Sequence, residues 1–205
     1  MKITKTAIRD DLILLRFQTQ YQLASTFLRV QEHHESSAFK RRIFSLEEYM
    51  DWYAARFGAF TYYEDWSGFN VPSSAFDPFY DGRFDPLSRK ERLLLDVLRD
   101  QRRPYYVIAV AAAVDLRHEI AHALDFTVPE YRRAIRRAMR GFDTSSLRRQ
   151  LSKLGYHRSV LSTEVQAYLI APAGTLGRSG RALDPLRKKL RAIFRTHAAG
   201  LPLSV

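Results

Sequence analysis

The sequence predicts an α+β fold that is mainly helical and contains a small β-sheet. Most segments long enough to form regular elements place apolar residues at helical spacing and carry helix-capping residues at their ends. Residues 59–72 and 105–110 contain the aromatic and β-branched residues that are typical of strands, and they are predicted to form the sheet. The chain has 205 residues, of which 46% are hydrophobic. This is enough for one hydrophobic core, so we expect a single domain over residues 1–205.

The first part of the chain predicts two helices and a strand pair. Apolar residues recur at helical spacing over residues 11–35, which indicates a first helix. Ser45 begins an SLEE capping-box pattern, and the helix that follows is expected to end at Gly58. Aromatic residues surround the polar turn EDWSG within residues 59–72, which favours two strands that end at Pro72.

A loop, a helix and a buried strand are expected next. Residues 73–89 contain two Asp-Pro pairs and one Asp-Gly pair, which are loop signals. A charged helix over about residues 88–100 leads to the apolar run YYVIAV, residues 105–110, which indicates a buried strand.

Helices are expected to fill the rest of the chain. The segment HEIAH has the apolar pattern of a partly buried helix. Pro129 fits the first position of a following helix and Gly141 its end, and Ser145 or Ser146 can cap another that ends at Gly155. A helix over roughly residues 159–170 and a basic amphipathic helix opened by Pro185 complete the chain.

Composition limits both the metal chemistry and the location. There is no cysteine, so thiolate ligands and cysteine nucleophiles are excluded, and His, Asp and Glu remain as metal ligands. The N-terminal apolar run is four residues long and flanked by charges, too short for a signal peptide. No stretch has the roughly 18 apolar residues of a membrane span. We therefore expect a cytoplasmic protein without a membrane span.

The formal charge of +11 favours an acidic partner. The charge is carried mostly by arginine, with dense groups at residues 132–140 and 187–195. Nucleic acid, an acidic protein or an anionic membrane surface would each suit such a field. A solvated basic surface is the simpler interpretation, because no nucleic-acid-binding motif accompanies the charge.

The segment HEIAH carries the clearest chemical signal. His118 and His122 are spaced i and i+4, so both imidazoles project from one face of a helix and can bind a single cation. Glu119 lies one residue further round the helix than His118. Its carboxylate can reach a metal-bound water and accept its proton without occupying a coordination position.

Two segments resemble the zincin metallopeptidases. DLRHEIAHALDF resembles their active-site helix, and STEVQAYL resembles the Glu-bearing helix of the gluzincin branch. The resemblance implies a zincin-like domain in which a small sheet lies beside the active-site helix. It also implies Zn²⁺ held by His118, His122 and Glu164, with Ala167 as the small residue that lets the two helices approach. The implied activity is hydrolysis of peptide amide bonds.

The third ligand and the oxyanion donor have alternatives. His157 also has suitable metal-binding chemistry and lies seven residues before Glu164, so it competes for the third position. As a non-ligand, His157 could donate a hydrogen bond to the oxyanion formed during hydrolysis, a role that Tyr168 or Tyr156 could also fill.

Position 168 departs from the gluzincin pattern, because many relatives carry there a carboxylate that orients a zinc-bound histidine. Asp125 and Asp115 are the alternative acceptors for an imidazole N–H, although Asp115 also suits a helix N-cap and Asp125 a helix end.

Zincins commonly present an edge strand beside the metal. If strand 105–110 is such an edge, an extended peptide substrate can pair with it; the alternative is a strand buried within the sheet.

Two other functions are compatible with the same residues. Two histidines and one carboxylate also form the facial triad of non-haem Fe(II) oxygenases. Alternatively, the chain is a non-catalytic regulatory or nucleic-acid-binding module in which the metal stabilises the fold and the arginines make the contacts.

Overall fold

The computed structural model describes residues 1–111, 116–154, 156–172 and 182–204. The chain divides into two compact units, Met1–Val114 (the first unit) and Asp115–Val205 (the second unit). Helices predominate and four strands form one mixed sheet, which confirms the α+β, mainly helical class. The expectation of a single domain stays a prediction.

The first unit contains the sheet and five helices. Its elements are β1 (Ile3–Arg9), β2 (Leu12–Phe17), α1 (Gln20–Glu35), α2 (Leu46–Phe57), α3 (Tyr62–Asp65), β3 (Gly68–Pro72), α4 (Asp77–Tyr80), α5 (Arg89–Leu98) and β4 (Tyr106–Ala111), with a 3-10 turn at Ser73–Phe76. The described part of the second unit is helical apart from its loops. Its helices are α6 (Arg117–Thr127), α7 (Pro129–Met139), α8 (Ser145–Lys153), α9 (Leu161–Ile170) and α10 (Asp184–His197).

Strand β4 is confirmed, but it is an interior strand. The sheet order is β1-β2-β4-β3, in which β4 runs parallel to β2 and antiparallel to β3. All six residues of β4 are buried. Both of its hydrogen-bonding edges are already paired, so of the two alternatives for residues 105–110 the strand within the sheet is confirmed and the edge strand that accepts a substrate peptide was wrong.

The N-terminal region forms a hairpin, and this was missed in the sequence. Helix α1 was expected to cover residues 11–35, but residues 12–17 form β2, which pairs with β1 on one side and β4 on the other. The apolar run Leu12–Leu15 is fully buried. A run of four apolar residues is too short for its periodicity to distinguish a strand from a helix. Its strand conformation depends on pairing with β4, which is distant in sequence. Helix α1 begins at Gln20, after Thr19 accepts a hydrogen bond from the Gln22 amide.

Helix α2 agrees with its prediction, whereas the strand pair that follows it is only half present. Ser45 Oγ accepts a hydrogen bond from the Glu48 amide at 2.9 Å, and Gly58 ends the helix with φ 88°, the left-handed conformation in which glycine avoids a Cβ clash. Residues 68–72 form β3 as predicted. The expected first strand is instead the short helix α3, because fully buried Tyr62 packs among the aromatic rings of the core.

The core of the first unit is aromatic. Phe27 of α1 stacks on Phe69 of β3, with ring centroids 5.6 Å apart. Beside it lies a buried ion pair, in which Arg29 Nη2 is 2.6 Å from Glu91 Oε2. Glu91 also completes a capping box with Ser88 at the start of α5. Helices α1 and α5 are thereby joined by a buried ion pair.

Helix α9 is central to the second unit, packing against α6, α8 and α10. Ala121 of α6 and Ala167 of α9 are both fully buried, and small side chains of this kind allow helix axes to approach closely. Arg191 of α10 donates to the carbonyl oxygens of Leu169, Ile170 and Ala171. These carbonyls have no partner within their own helix, so α10 caps the C-terminus of α9.

The remaining helix boundaries agree with the sequence in most places. Pro129 opens α7, and Pro185 lies in the first turn of α10. The cap of α8 differs, because Asp143 accepts the hydrogen bond from the Ser145 amide at 2.8 Å instead of a serine side chain capping the helix. The predicted end at Gly155 lies outside the described residues. Across the part of the chain that is described, none of the helices has the length and apolar character needed to traverse a lipid bilayer.

Candidate metal centre

Helix α6 brings the two histidines of HEIAH together. Nε2 of His118 lies 3.2 Å from Nε2 of His122, and their ring centroids are 4.9 Å apart. Ile120 and Ala121, between them, are fully buried, which fixes the opposite face of the helix against the interior. The side chain of His118 is 22% exposed and that of His122 is 8% exposed. One ligand is thus enclosed, while the other borders solvent.

Glu164 reaches the same point from α9. Its Oε1 lies 3.2 Å from Nε2 of His122, and its Oε2 lies 3.5 Å from Nε2 of His118. The Glu164 side chain is 6% exposed. A carboxylate buried to this degree requires charged or hydrogen-bonding partners, and the two imidazoles are those that the fold provides.

The three side chains fit a tetrahedral cation. Each offers one ligand atom, and these atoms all lie within 4.8 Å of one another. Around a tetrahedral ion with bonds of about 2.0–2.1 Å, neighbouring ligand atoms are about 3.3–3.4 Å apart, close to the separations observed here. Within the described residues no other group of three His, Asp or Glu side chains meets this condition.

One oxygen of Glu164 lacks a hydrogen-bond donor. Oε2 is buried and has no hydrogen-bond partner among the described residues, since the 3.5 Å distance to His118 is too long for a good hydrogen bond. Burial raises the pKa of Glu164, but the neighbouring His122 and His118 outweigh that effect and hold the pKa at about 2. A buried anion with an unused oxygen beside two imidazoles is a suitable cation ligand.

Two tyrosines lie beside the three ligands. The ring of Tyr168 packs edge-on against His118, with centroids 4.9 Å apart, and its Oη lies 3.1 Å from Oη of Tyr156. Burial raises the pKa of Tyr168, and the negative charges of Glu164 and Glu119 raise it further, although the hydrogen bond from Tyr156 opposes the change. Burial and Glu164 likewise raise the pKa of Tyr156. Both hydroxyls therefore keep their protons and can donate.

Glu119 is on α6, between the two histidines in sequence, and its side chain is half-buried. It is not one of the three clustered ligands. Its negative charge is the smallest of the contributions that raise the pKa values of Tyr156 and Tyr168. Its place in the sequence, next to His118 in the first turn of α6, remains the basis for its predicted role.

Neither His157 nor Asp125 belongs to the cluster of ligands. His157 is outside the group of ligands, and its Nδ1 lies 2.8 Å from the hydroxyl of Ser159. The carboxylate of Asp125 lies 3.9 Å from Nε of Arg132, which fits its helix-end interpretation. Asp115 lies outside the described residues. The packing of Tyr168 against His118 supplies an orienting contact that the sequence did not indicate.

The site was predicted incompletely in one respect. Tyr156 was considered as a hydrogen-bond donor, but not as the partner of Tyr168, and nothing in the local sequence signals that pairing. The two residues are separated by the start of α9, and only the packing of that helix brings their hydroxyls together.

Comparison of the sequence and structure with protein-family models, curated proteins and solved structures finds no match. The resemblance to zincins therefore rests on the two segments around His118 and Glu164. What the structure adds is that the side chains of those segments converge on one point.

Proposed function

We propose that this protein is a cytoplasmic zinc-dependent metallohydrolase, a peptidase that cleaves amide bonds. The observation that carries the proposal is the convergence of His118, His122 and Glu164 with ligand separations suited to tetrahedral coordination. These three residues would hold Zn²⁺. Three protein ligands leave a fourth position for water, as catalytic zinc sites require.

Glu119 is the general base in this proposal. Zinc held by these residues would lower the pKa of a bound water towards neutrality and would polarise a substrate carbonyl. Glu119 would accept the proton of the attacking water and deliver it to the nitrogen of the departing amine. Its side chain is half-buried and is not one of the three clustered ligands, so its carboxylate is not committed to holding the metal.

Tyr168 is the oxyanion donor in this proposal. Its ring contacts a ligand histidine, and its hydroxyl stays protonated because burial and the two nearby carboxylates raise its pKa. Tyr156 positions that hydroxyl through the contact at 3.1 Å. His157 is less suited to the role, because it is not among the side chains that cluster with His118 and His122.

Zinc is proposed before iron because two histidines and one glutamate form the ligand set of catalytic zinc sites in metallopeptidases. An Fe(II) oxygenase would also need oxygen and reduced iron for activity, whereas the proposed hydrolysis needs neither.

Metal content tests the proposed ligands. Protein purified without chelators or a histidine tag is expected to hold about one zinc per chain. We expect zinc to be lost in Glu164→Ala and in His118→Ala/His122→Ala, and retained in the control His157→Ala. Plasma emission spectrometry on folded protein measures this. Zinc that persists in Glu164→Ala but disappears in His157→Ala would assign the third ligand to His157 instead.

Kinetics separate the two candidate oxyanion donors. Tyr168→Phe removes one hydroxyl and keeps the ring against His118, so kcat for a cleaved peptide is expected to fall by about 10²–10³-fold with little change in KM. His157→Ala is expected to leave kcat nearly unchanged. Steady-state kinetics on a peptide identified from a mixed-sequence library checks both. If His157→Ala lowers kcat and Tyr168→Phe does not, the oxyanion donor is His157 and not Tyr168.

A further inference from the structure

The two units differ greatly in charge. Residues 115–205 contain 17 Lys and Arg against 7 Asp and Glu, whereas residues 1–114 contain 16 against 15. The second unit therefore has a formal charge of +10 and the first only +1. Nearly the whole net charge of the chain belongs to the unit that carries the candidate metal centre. An excess of positive charge this large within one unit indicates an anionic partner.

The exposed part of this charge lies on two helices that pack together. Helices α7 and α10 are antiparallel neighbours, because Tyr131 near the start of α7 contacts His197 at the end of α10, while Lys189 lies over Phe142 just after α7. Six exposed basic residues, five on these helices and one directly after α7, form what we name the basic surface: Arg136, Arg137, Arg140, Lys188, Lys189 and Arg195.

The basic surface is not neutralised by the protein itself. Arg132, Arg133 and Arg187 lie within 4.0 Å of acidic side chains of their own unit. In contrast, none of the six residues of the basic surface forms such an ion pair within the described part of the chain. Six uncompensated cations on adjacent helices repel one another, so a polyanion that binds there gains both attraction and relief of that repulsion.

We propose that the basic surface binds the phosphate backbone of nucleic acid without reading base sequence. Four of its six residues are arginines, whose planar guanidinium groups bind phosphate oxygens in bidentate fashion. They are spread along the helices instead of converging on a pocket: residues 136 and 140 are about 6 Å apart along the axis, and residues 188 and 195 about 10 Å. A line of phosphates matches such an extended arrangement.

A membrane surface fits less well. Helices that bind membranes insert an apolar face among the lipid headgroups. The apolar faces of α7 and α10 are already buried, including Ile135, Leu186, Leu190 and Phe194. The exposed large apolar residues of the second unit, Phe126, Leu154 and Leu203, all lie outside these two helices. The proposal does not depend on catalysis, because none of its residues belongs to the metal centre.

The test is the salt dependence of binding to a labelled 25-base-pair DNA duplex, followed by fluorescence anisotropy between 50 and 300 mM NaCl. The triple variant Arg136→Gln/Arg137→Gln/Arg140→Gln is expected to bind about tenfold or more weakly at 100 mM NaCl. The slope of log K against log salt should become shallower by about 2–3, at about 0.9 for each lost phosphate contact. The matched control Arg83→Gln/Arg89→Gln/Arg102→Gln removes the same charge from exposed positions of the first unit and should behave like the native protein.

A second triple, Lys188→Gln/Lys189→Gln/Arg195→Gln, tests the α10 half of the basic surface and is expected to lower the slope by a similar amount. Circular dichroism confirms that each variant is folded. The proposal is overturned if native protein does not bind DNA at 50 mM NaCl, or if the first-unit control loses as much affinity as the α7 variant. Tighter binding to polyglutamate or to phosphatidylserine vesicles than to the duplex would also overturn it.

Discussion

Glu119→Gln is expected to lower kcat/KM for peptide hydrolysis by about 10²–10⁴-fold while the protein keeps its zinc. Glutamine has nearly the same shape as glutamate but cannot accept the proton of a metal-bound water. Because Glu119 is outside the group formed by His118, His122 and Glu164, the substitution should leave the metal site intact. Parallel measurement of zinc content and of initial rates for one cleaved peptide tests both halves of the expectation.

Glu130→Gln is the matched control for this experiment. Glu130 is an exposed carboxylate in the first turn of α7, paired with Arg133, so it makes the same change of charge within the same unit. Its rate should equal that of native protein. If Glu119→Gln retains both zinc and full activity, then hydrolysis does not use Glu119 and the proposed mechanism is wrong.

Removal of zinc is expected to lower the melting temperature by about 10 °C. The three ligands join α6 to α9, so the ion binds the folded arrangement and not the separated helices. At a free concentration of about 1,000 Kd, such binding stabilises the fold by about 4 kcal/mol. For a chain of this size, each kcal/mol corresponds to roughly 2–4 °C. Calorimetric melts of zinc-loaded and chelated protein measure the difference.

Glu164→Gln supplies the control for the thermal experiment. It preserves the size of the side chain but removes the buried negative charge that the ion would neutralise, so its melting temperature should not respond to zinc or to chelator. The response should return when zinc is restored to chelated native protein. Equal melting temperatures for loaded and chelated native protein at saturating zinc would show that no ion joins α6 and α9.

The structure bears on the choice of third ligand, for which the resemblance to zincins implied Glu164 and His157 was the alternative. Glu164 and His157 both followed HEIAH at plausible distances, and no rule of spacing chose between them. In the fold, α9 presents Glu164 to the histidines at 3.2 and 3.5 Å, whereas His157 precedes that helix and contacts Ser159. The choice depends on the packing of α9 against α6, a contact between segments about forty residues apart in sequence.

The strands show the same difference between features that are local in sequence and features that depend on tertiary contacts. Residues 105–110 were recognised as a strand because a short apolar run of β-prone residues is a local property. Whether it lies at an edge or in the interior of the sheet was left open, because that depends on β2 and β3, which pair with it from distant parts of the chain. The run Leu12–Leu15 was assigned to a helix for the same reason, since its neighbours in space were unknown.

The sequence by itself determined the features that arise within a few residues of chain. These include the mainly helical class, the cap at Ser45, the start of α7 at Pro129 and the common face of His118 and His122, since i and i+4 positions meet on any α-helix. Only the tertiary structure decided that Glu164 and not His157 lies beside those histidines, which tyrosines are near them and which of the described arginines lack an acidic partner. Those outcomes depend on side chains that are distant in sequence, and their proximity is set by helix packing.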